Sequence, residues 1–123
     1  MGRKMSEIRA ILKPLSEKAA GIYLYGSYAE GNEHAKSDID VCVVAGKRIN
    51  EFYRETNLIM AKHPEFDIKL FEELPIYLKK TVMEKGILLY LKDEGELSLY
   101  LRFYKKLWNE QALVRLGYAK AMA

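Results

Sequence analysis

Residues 38–44 read DIDVCVV, and no other stretch narrows the choice of fold so far. The run is β-branched and too short for a buried helix, so it reads as a strand. Side chains alternate along a strand, which puts Asp38 and Asp40 on one face with Cys42 and Val44, the carboxylates about 7 Å apart along the chain. Two acids at the lip of a buried face repel each other, and such a pair is costly unless a cation lies between them. Magnesium suits the position, because it takes one or two protein carboxylates and completes its shell with water and phosphate oxygens. A turn feeding a strand, with Asp40 solvated at a frayed end, is the plainer account of an Asp-x-Asp standing alone.

What precedes the aspartates sharpens the reading. GIYLYG (21–26) is a short strand bounded by glycines, and SYAEG (27–31) can make a turn or two of helix before Gly31 stops it. A glycine at 26 lets a phosphate approach the backbone, where free N–H groups of a helix start face it. The Ser27 hydroxyl adds a donor. Ten residues separate Ser27 from Asp38, so anion donors and cation ligands stand on adjacent strands. A third acid, Asp67, lies in EFDIKLF (65–71), with Phe66, Ile68 and Leu70 on the opposite face. If that strand runs beside 38–44, three carboxylates can hold two magnesium ions about 4 Å apart, in the manner of in-line phosphoryl or nucleotidyl transfer. Asp67 can instead accept the proton of an attacking hydroxyl, or simply pair with Lys69 on its own face.

The rest of the chain supplies a scaffold. Half of the 123 residues are hydrophobic and 30% are charged, the balance of one globular domain. The net charge of +3 is dispersed, with no basic block to mark direct nucleic-acid binding. A single cysteine, Cys42, excludes an internal disulfide and reads as a small core residue. No membrane-length apolar run and no signal-peptide core are seen, so the expected location is cytoplasmic. Ser6 is the expected cap of a first helix carrying Ile8, Ile11, Leu12 and Leu15, which Pro14 should kink or divide. Residues 50–62 read as a helix ended at His63-Pro64, and 74–86 as another between Pro75 and Gly86. ILLYL (87–91) is a fourth strand. The expected fold is α/β (α+β): a small mixed sheet flanked by helices, in which 38–44 and 65–71 are parallel neighbours with a right-handed crossover. Residues 96–116 read as a long helix, most of it a core helix, whose surplus aromatic surface beyond one packing stripe points to a partner or homodimer surface. His34 reads as a solvated histidine of the polar loop, and His63 before Pro64 as a helix end. Tyr28 reads as a core residue rather than a base-stacking one.

With these residues assembled, the chain resembles the nucleotidyltransferase superfamily typified by DNA polymerase beta: Gly26-Ser27, then Asp38-x-Asp40, then Asp67 on a later strand. It is similar above all to the minimal nucleotidyltransferases (MNT) of prokaryotes, commonly paired with a HEPN-domain ribonuclease. The likeness runs through YLYGSYAEGN, SDIDVCVV, FDIKLFEELPIYLKK and EKGILLYLKDE, and FYKKLW resembles the C-terminal extension of some archaeal members. The resemblance implies a minimal nucleotidyltransferase domain over 1–94 and a helical extension over 95–123, packed on the same domain or on a partner. It implies Asp38, Asp40 and Asp67 as catalytic metal ligands, Gly26 and Ser27 as the triphosphate-binding turn, magnesium (two ions) as cofactor and ATP as substrate. Such proteins serve as antitoxins, and members transfer AMP to a tyrosine of a HEPN toxin. Neutralising a partner by occlusion alone, or nucleotidyl transfer to a small hydroxylated molecule, are the alternatives. Glu30 departs from the pattern, since many relatives carry a basic residue there, and an acid weakens nucleotide binding unless it faces away.

Overall fold

The computed structural model describes residues 4–29, 31 and 38–115, with side chains up to residue 109. In chain order the elements are α1 (Met5–Ser16), β1 (Gly21–Tyr25), α2 (Gly26–Ala29), β2 (Ile39–Val44), α3 (Tyr53–Lys62), β3 (Phe66–Leu70), α4 (Ile76–Lys85), β4 (Ile87–Leu91) and α5 (Glu94–Arg115). Short 3-10 turns at Gly46–Glu51 and Phe71–Glu73 lead out of β2 and β3. The strands form one mixed sheet in the order β3-β2-β1-β4. β2 and β3 are parallel, as a strand–helix–strand connection allows, and β1 is antiparallel to both β2 and β4.

Strand alternation divides the core in two. Ile22, Leu24, Val41, Val43, Phe66 and Ile68 face one way, against Ile8, Leu12 and Leu15 of α1 and Phe52 ahead of α3. Tyr23, Tyr25, Cys42 and Val44 face the other way, against Phe71, Leu74, Val82 of α4, and Leu97 and Leu101 of α5. Parity therefore assigns Asp40, Asp67 and Lys69 to the α4–α5 face of the sheet. No helix among the described residues is long and apolar enough to cross a membrane.

Two local expectations at α1 are corrected. The helix begins one residue after Lys4, whose N–H donates to Glu7 Oε1 at 3.2 Å, so Ser6 lies inside the first turn instead of capping it. Pro14 neither divides nor ends the helix before Ser16. It sits in the last turn, so only one late backbone bond is forfeited, and burial of Ile8, Leu12 and Leu15 on the sheet outweighs that loss. α4 ends at Gly86, where a side chain would not fit: a Cβ there would lie 2.4 Å from the Val82 carbonyl oxygen and 3.2 Å from the Tyr23 ring.

α5 is fastened to the sheet through Phe71, which is fully buried. Its ring meets Tyr104 edge-on at 5.1 Å and Tyr100 at 6.4 Å. The buried Lys79 ammonium lies over Tyr104 at 5.0 Å and Phe71 at 5.6 Å while donating to the Leu74 carbonyl at 2.6 Å. Leu99 and Phe103 point away and are 66% and 62% exposed, so only part of the apolar surface of this helix is used internally. Phe71→Ala should lower unfolding stability by about 3–5 kcal/mol, the usual range for emptying a buried aromatic site. Urea denaturation followed by circular dichroism measures it, and an unchanged midpoint would refute the anchoring role.

Candidate functional site

The end of β1 and the starts of β2 and β3 lie at one edge of the sheet, and the predicted residues are distributed along it. Tyr25 is paired in register with Asp40, and Asp40 with Asp67. The expected adjacency of Asp67 and Asp40 therefore holds, across a parallel strand pair. Asp38 is exposed and stands just ahead of β2, whose first residue, Ile39, donates its N–H to the Glu65 carbonyl at 2.8 Å. Asp67 also pairs with Lys69 Nζ at 3.5 Å, so the salt bridge expected of this residue is present. Among the described residues no three acidic, imidazole or thiol groups converge as a ligand set: Asp40 and Asp67 are adjacent, and Asp38 stands apart from them ahead of β2.

Gly26 has φ +75°, a conformation that glycine adopts without penalty. A Cβ on it would stand 2.4 Å from Asp40 Oδ2 and 3.2 Å from Asp40 Cγ. The glycine thus makes room for a carboxylate as well as for any ligand above the turn. Ser27 follows, exposed at the start of α2. With four residues, α2 offers an anion the local N–H groups of its first turn and the Ser27 hydroxyl, and negligible helix dipole. Tyr28 is buried with the α1–α3 side of the core, as expected. His63 ends α3, edge-on to Phe66 at 6.0 Å and 3.9 Å from a Glu65 carboxylate oxygen. Glu30 and His34 lie outside the described residues.

The electrostatics are those of a strained acidic cluster. Burial pushes the Asp40 carboxyl above its ordinary value, Asp67 adds to the shift, Lys69 opposes it and Asp38 adds a smaller share. The Tyr25 phenol is pushed far up, first by burial and then by Asp40, Cys42 and Asp67, so it remains a neutral donor. Cys42 is fully buried and its thiol is raised by burial first and Glu72 second, as a core cysteine should be. Tyr25 and Lys69 were not singled out as site residues from the sequence. Their signal was the strand parity that had already placed Asp40 and Asp67 on one face. One carboxylate destabilised by two others is a charge arrangement that a hard divalent cation relieves.

Comparison with known proteins bears on this geometry. Residues 6–95 match the family model described as Polymerase beta, Nucleotidyltransferase. The chain belongs to this nucleotidyltransferase family. A Methanocaldococcus jannaschii protein provisionally named a protein adenylyltransferase is 38% identical over 93 residues, 76% of this chain and 72% of that one. Among solved structures, a chain of a toxin–antitoxin complex with AMP-PNP superposes with TM-score 0.69 at 24% identity, over 98% of this chain and 100% of its own. A chain of the Shewanella oneidensis complex of a tri-AMPylated HEPN toxin with its MNT antitoxin gives TM-score 0.64 at 20% identity, covering 97% and 96%. At these identities the solved structures show a shared nucleotidyltransferase fold.

Two outcomes are expected of the site. Gly26→Ala should cost about 1–2 kcal/mol for the left-handed backbone alone, and the clash should displace Asp40. Thermal denaturation together with a structure of the variant checks both. Asp40 holds its proton more tightly folded than unfolded, so its ionisation lowers stability as pH rises from the ordinary 3.8 through its raised folded value. Metal-free Asp40→Asn should therefore be more stable than wild type at neutral pH, with the margin closing in acid. A variant less stable at neutral pH would contradict this.

Proposed function

We propose that the chain is a magnesium-dependent adenylyltransferase that moves AMP from ATP to a hydroxyl, by choice a tyrosine, of a partner HEPN toxin, and so acts as its antitoxin. The pairing of Asp40 with Asp67 beside Gly26, in a chain of this family, is the observation that carries the reading. The names of the similar proteins support the acceptor class: one is provisionally named a protein adenylyltransferase, and another sits with an AMPylated toxin. Asp38, Asp40 and Asp67 would hold the magnesium, two ions in the full set. Bound there, magnesium would neutralise phosphate charge and favour the attacking and leaving oxygens. Gly26 and Ser27 would hold the phosphate chain through backbone N–H groups and the Ser27 hydroxyl. The acceptor oxygen bonds to the α-phosphorus, the bond to the β-phosphate oxygen breaks, and pyrophosphate leaves. Asp67 is the nearest candidate to take the acceptor proton where it is not occupied by metal. Lys69 would then remain as the counterion of the cluster.

Residues 95–123 are read as the extension that docks the partner, through Leu99 and Phe103 on the outer side of α5. That exposed pair also supports a second reading, an antitoxin acting by occlusion with the carboxylates idle. With labelled ATP, magnesium and the toxin, Asp38→Asn plus Asp40→Asn should reduce labelling about 100-fold or more. Equal labelling by wild type and double variant would end the catalytic reading. Leu99→Asp plus Phe103→Asp separates the two mechanisms better than truncation, because Leu97 and Leu101 of the same helix belong to the core. Occlusion predicts that this variant alone loses neutralisation; catalysis predicts that the aspartate variant loses it too.

A further inference from the structure

The opposite end of the sheet carries the opposite charge. β1 begins there, β2 and β4 end there, and a cavity of about 430 Å³ opens between those strand ends and α5. Four cationic side chains border it: Lys18 after α1, Lys47 and Arg48 in the turn after β2, and Lys92 after β4. One carboxylate, Glu96, and the Tyr100 side chain complete its polar lining.

The floor of this cavity is held in place. Ala20 N–H donates to the Val44 carbonyl at 2.9 Å, and Lys92 N–H to the Ala20 carbonyl at 3.2 Å. The Glu72 carboxylate accepts from Ala45 N–H at 3.0 Å, Gly46 N–H at 2.7 Å and the Tyr100 hydroxyl at 2.7 Å. Its charge is thereby engaged in fixing the turn that presents Lys47 and Arg48. Gly46, at φ +64°, lets the chain reverse at that point. Arg48 has Glu51 at 3.7 Å. Lys18, Lys47 and Lys92 have no side-chain ion pair or hydrogen bond among the described residues, whereas Arg9, Lys69 and Lys79 are each engaged. Three unpaired ammonium groups around one concavity repel one another, and low-dielectric walls focus their field into it.

We propose that this cavity is a binding site for a short phosphate chain, two or three phosphates long, taken without a metal ion. Ammonium and guanidinium groups are the donors that phosphate oxygens prefer, and here they converge from three separate turns onto one cavity. A nucleic-acid backbone has the same chemistry but wants a stripe or face of charge, and these cations gather around a single concavity. The site is distinct from the acidic end. Asp40 in β2 and Ala45 just past its end are five residues apart, which an extended chain makes about 17 Å. At the acidic end a phosphate chain meets carboxylates and needs a cation, whereas at this end it meets the cations of the chain itself.

The test is calorimetric titration of the whole protein with sodium tripolyphosphate in EDTA. No turnover is read, so failure of the proposed transfer reaction leaves the result intact. Wild type should bind saturably, and K18A/K47A/K92A should bind about tenfold more weakly or worse. Charge-conserving K47R/K92R should stay within about threefold, and D38N/D40N within about twofold, of wild type. Pyrophosphate and ATP arms distinguish the sources: ATP as tight as tripolyphosphate assigns a nucleotide's chain, and weaker ATP assigns free polyphosphate. All three lysines are exposed, so the triple variant should fold. Should its circular dichroism be lost, single K47E must weaken binding instead. No saturable binding, unchanged affinity in the lysine variants, equal binding of hexaglutamate, or binding of single-stranded RNA without tripolyphosphate would each overturn the proposal.

Discussion

The Asp40 carboxylate occupies space that a Cβ at position 26 would fill, and the acidic end of the molecule is organised around that contact. Gly26, a left-handed residue immediately after β1, turns the chain into α2 directly above the second residue of β2. The same residue of β2 is paired in register with Asp67 of β3. One steric concession by one residue thus lets a turn, a carboxylate and a second carboxylate share a corner. Burial and Asp67 make that carboxylate reluctant to ionise, so the corner stores electrostatic strain that a cation can relieve.

The two faces of the sheet serve different ends. The α1–α3 side is an apolar core with the residues expected of it. The α4–α5 side grades along its length from Val44 and Cys42, fully buried, to Asp40, half-buried. Two polar groups set into that face are satisfied. Glu72 binds two backbone N–H groups and a tyrosine hydroxyl, and Lys79 is capped by a carbonyl and flanked by two rings. These contacts join α5 to the strand ends, with Leu97, Leu101 and Trp108 buried while Leu99 and Phe103 stay exposed.

Much of this was legible in short runs of sequence. DIDVCVV, GIYLYG and FDIKLF announced strands because β-branched and alternating residues leave few other options over so few positions. The parallel pairing of β2 with β3 followed from the helix between them. Ser6 and Pro14 misled at α1, where packing of three apolar side chains overrode local capping and breaking signals. Lys69 and Tyr25 were passed over as site residues, since a lysine two positions from an aspartate or a tyrosine in a strand has no special signature by itself. The basic cavity was invisible for a stronger reason: its cations come from positions 18, 47, 48 and 92, which looked like dispersed charge.

By itself, then, the sequence determined the period of each segment, the strand face shared by Asp40, Cys42 and Val44, and the family to which the chain belongs. Those properties reside in residue spacing, which is local. The tertiary structure decided the register that sets Asp40 against both Tyr25 and Asp67. It decided that Gly26 yields to a side chain 14 positions away and that four scattered cations ring one cavity. Register and strand order arise from packing between distant segments, and so no local pattern could specify them.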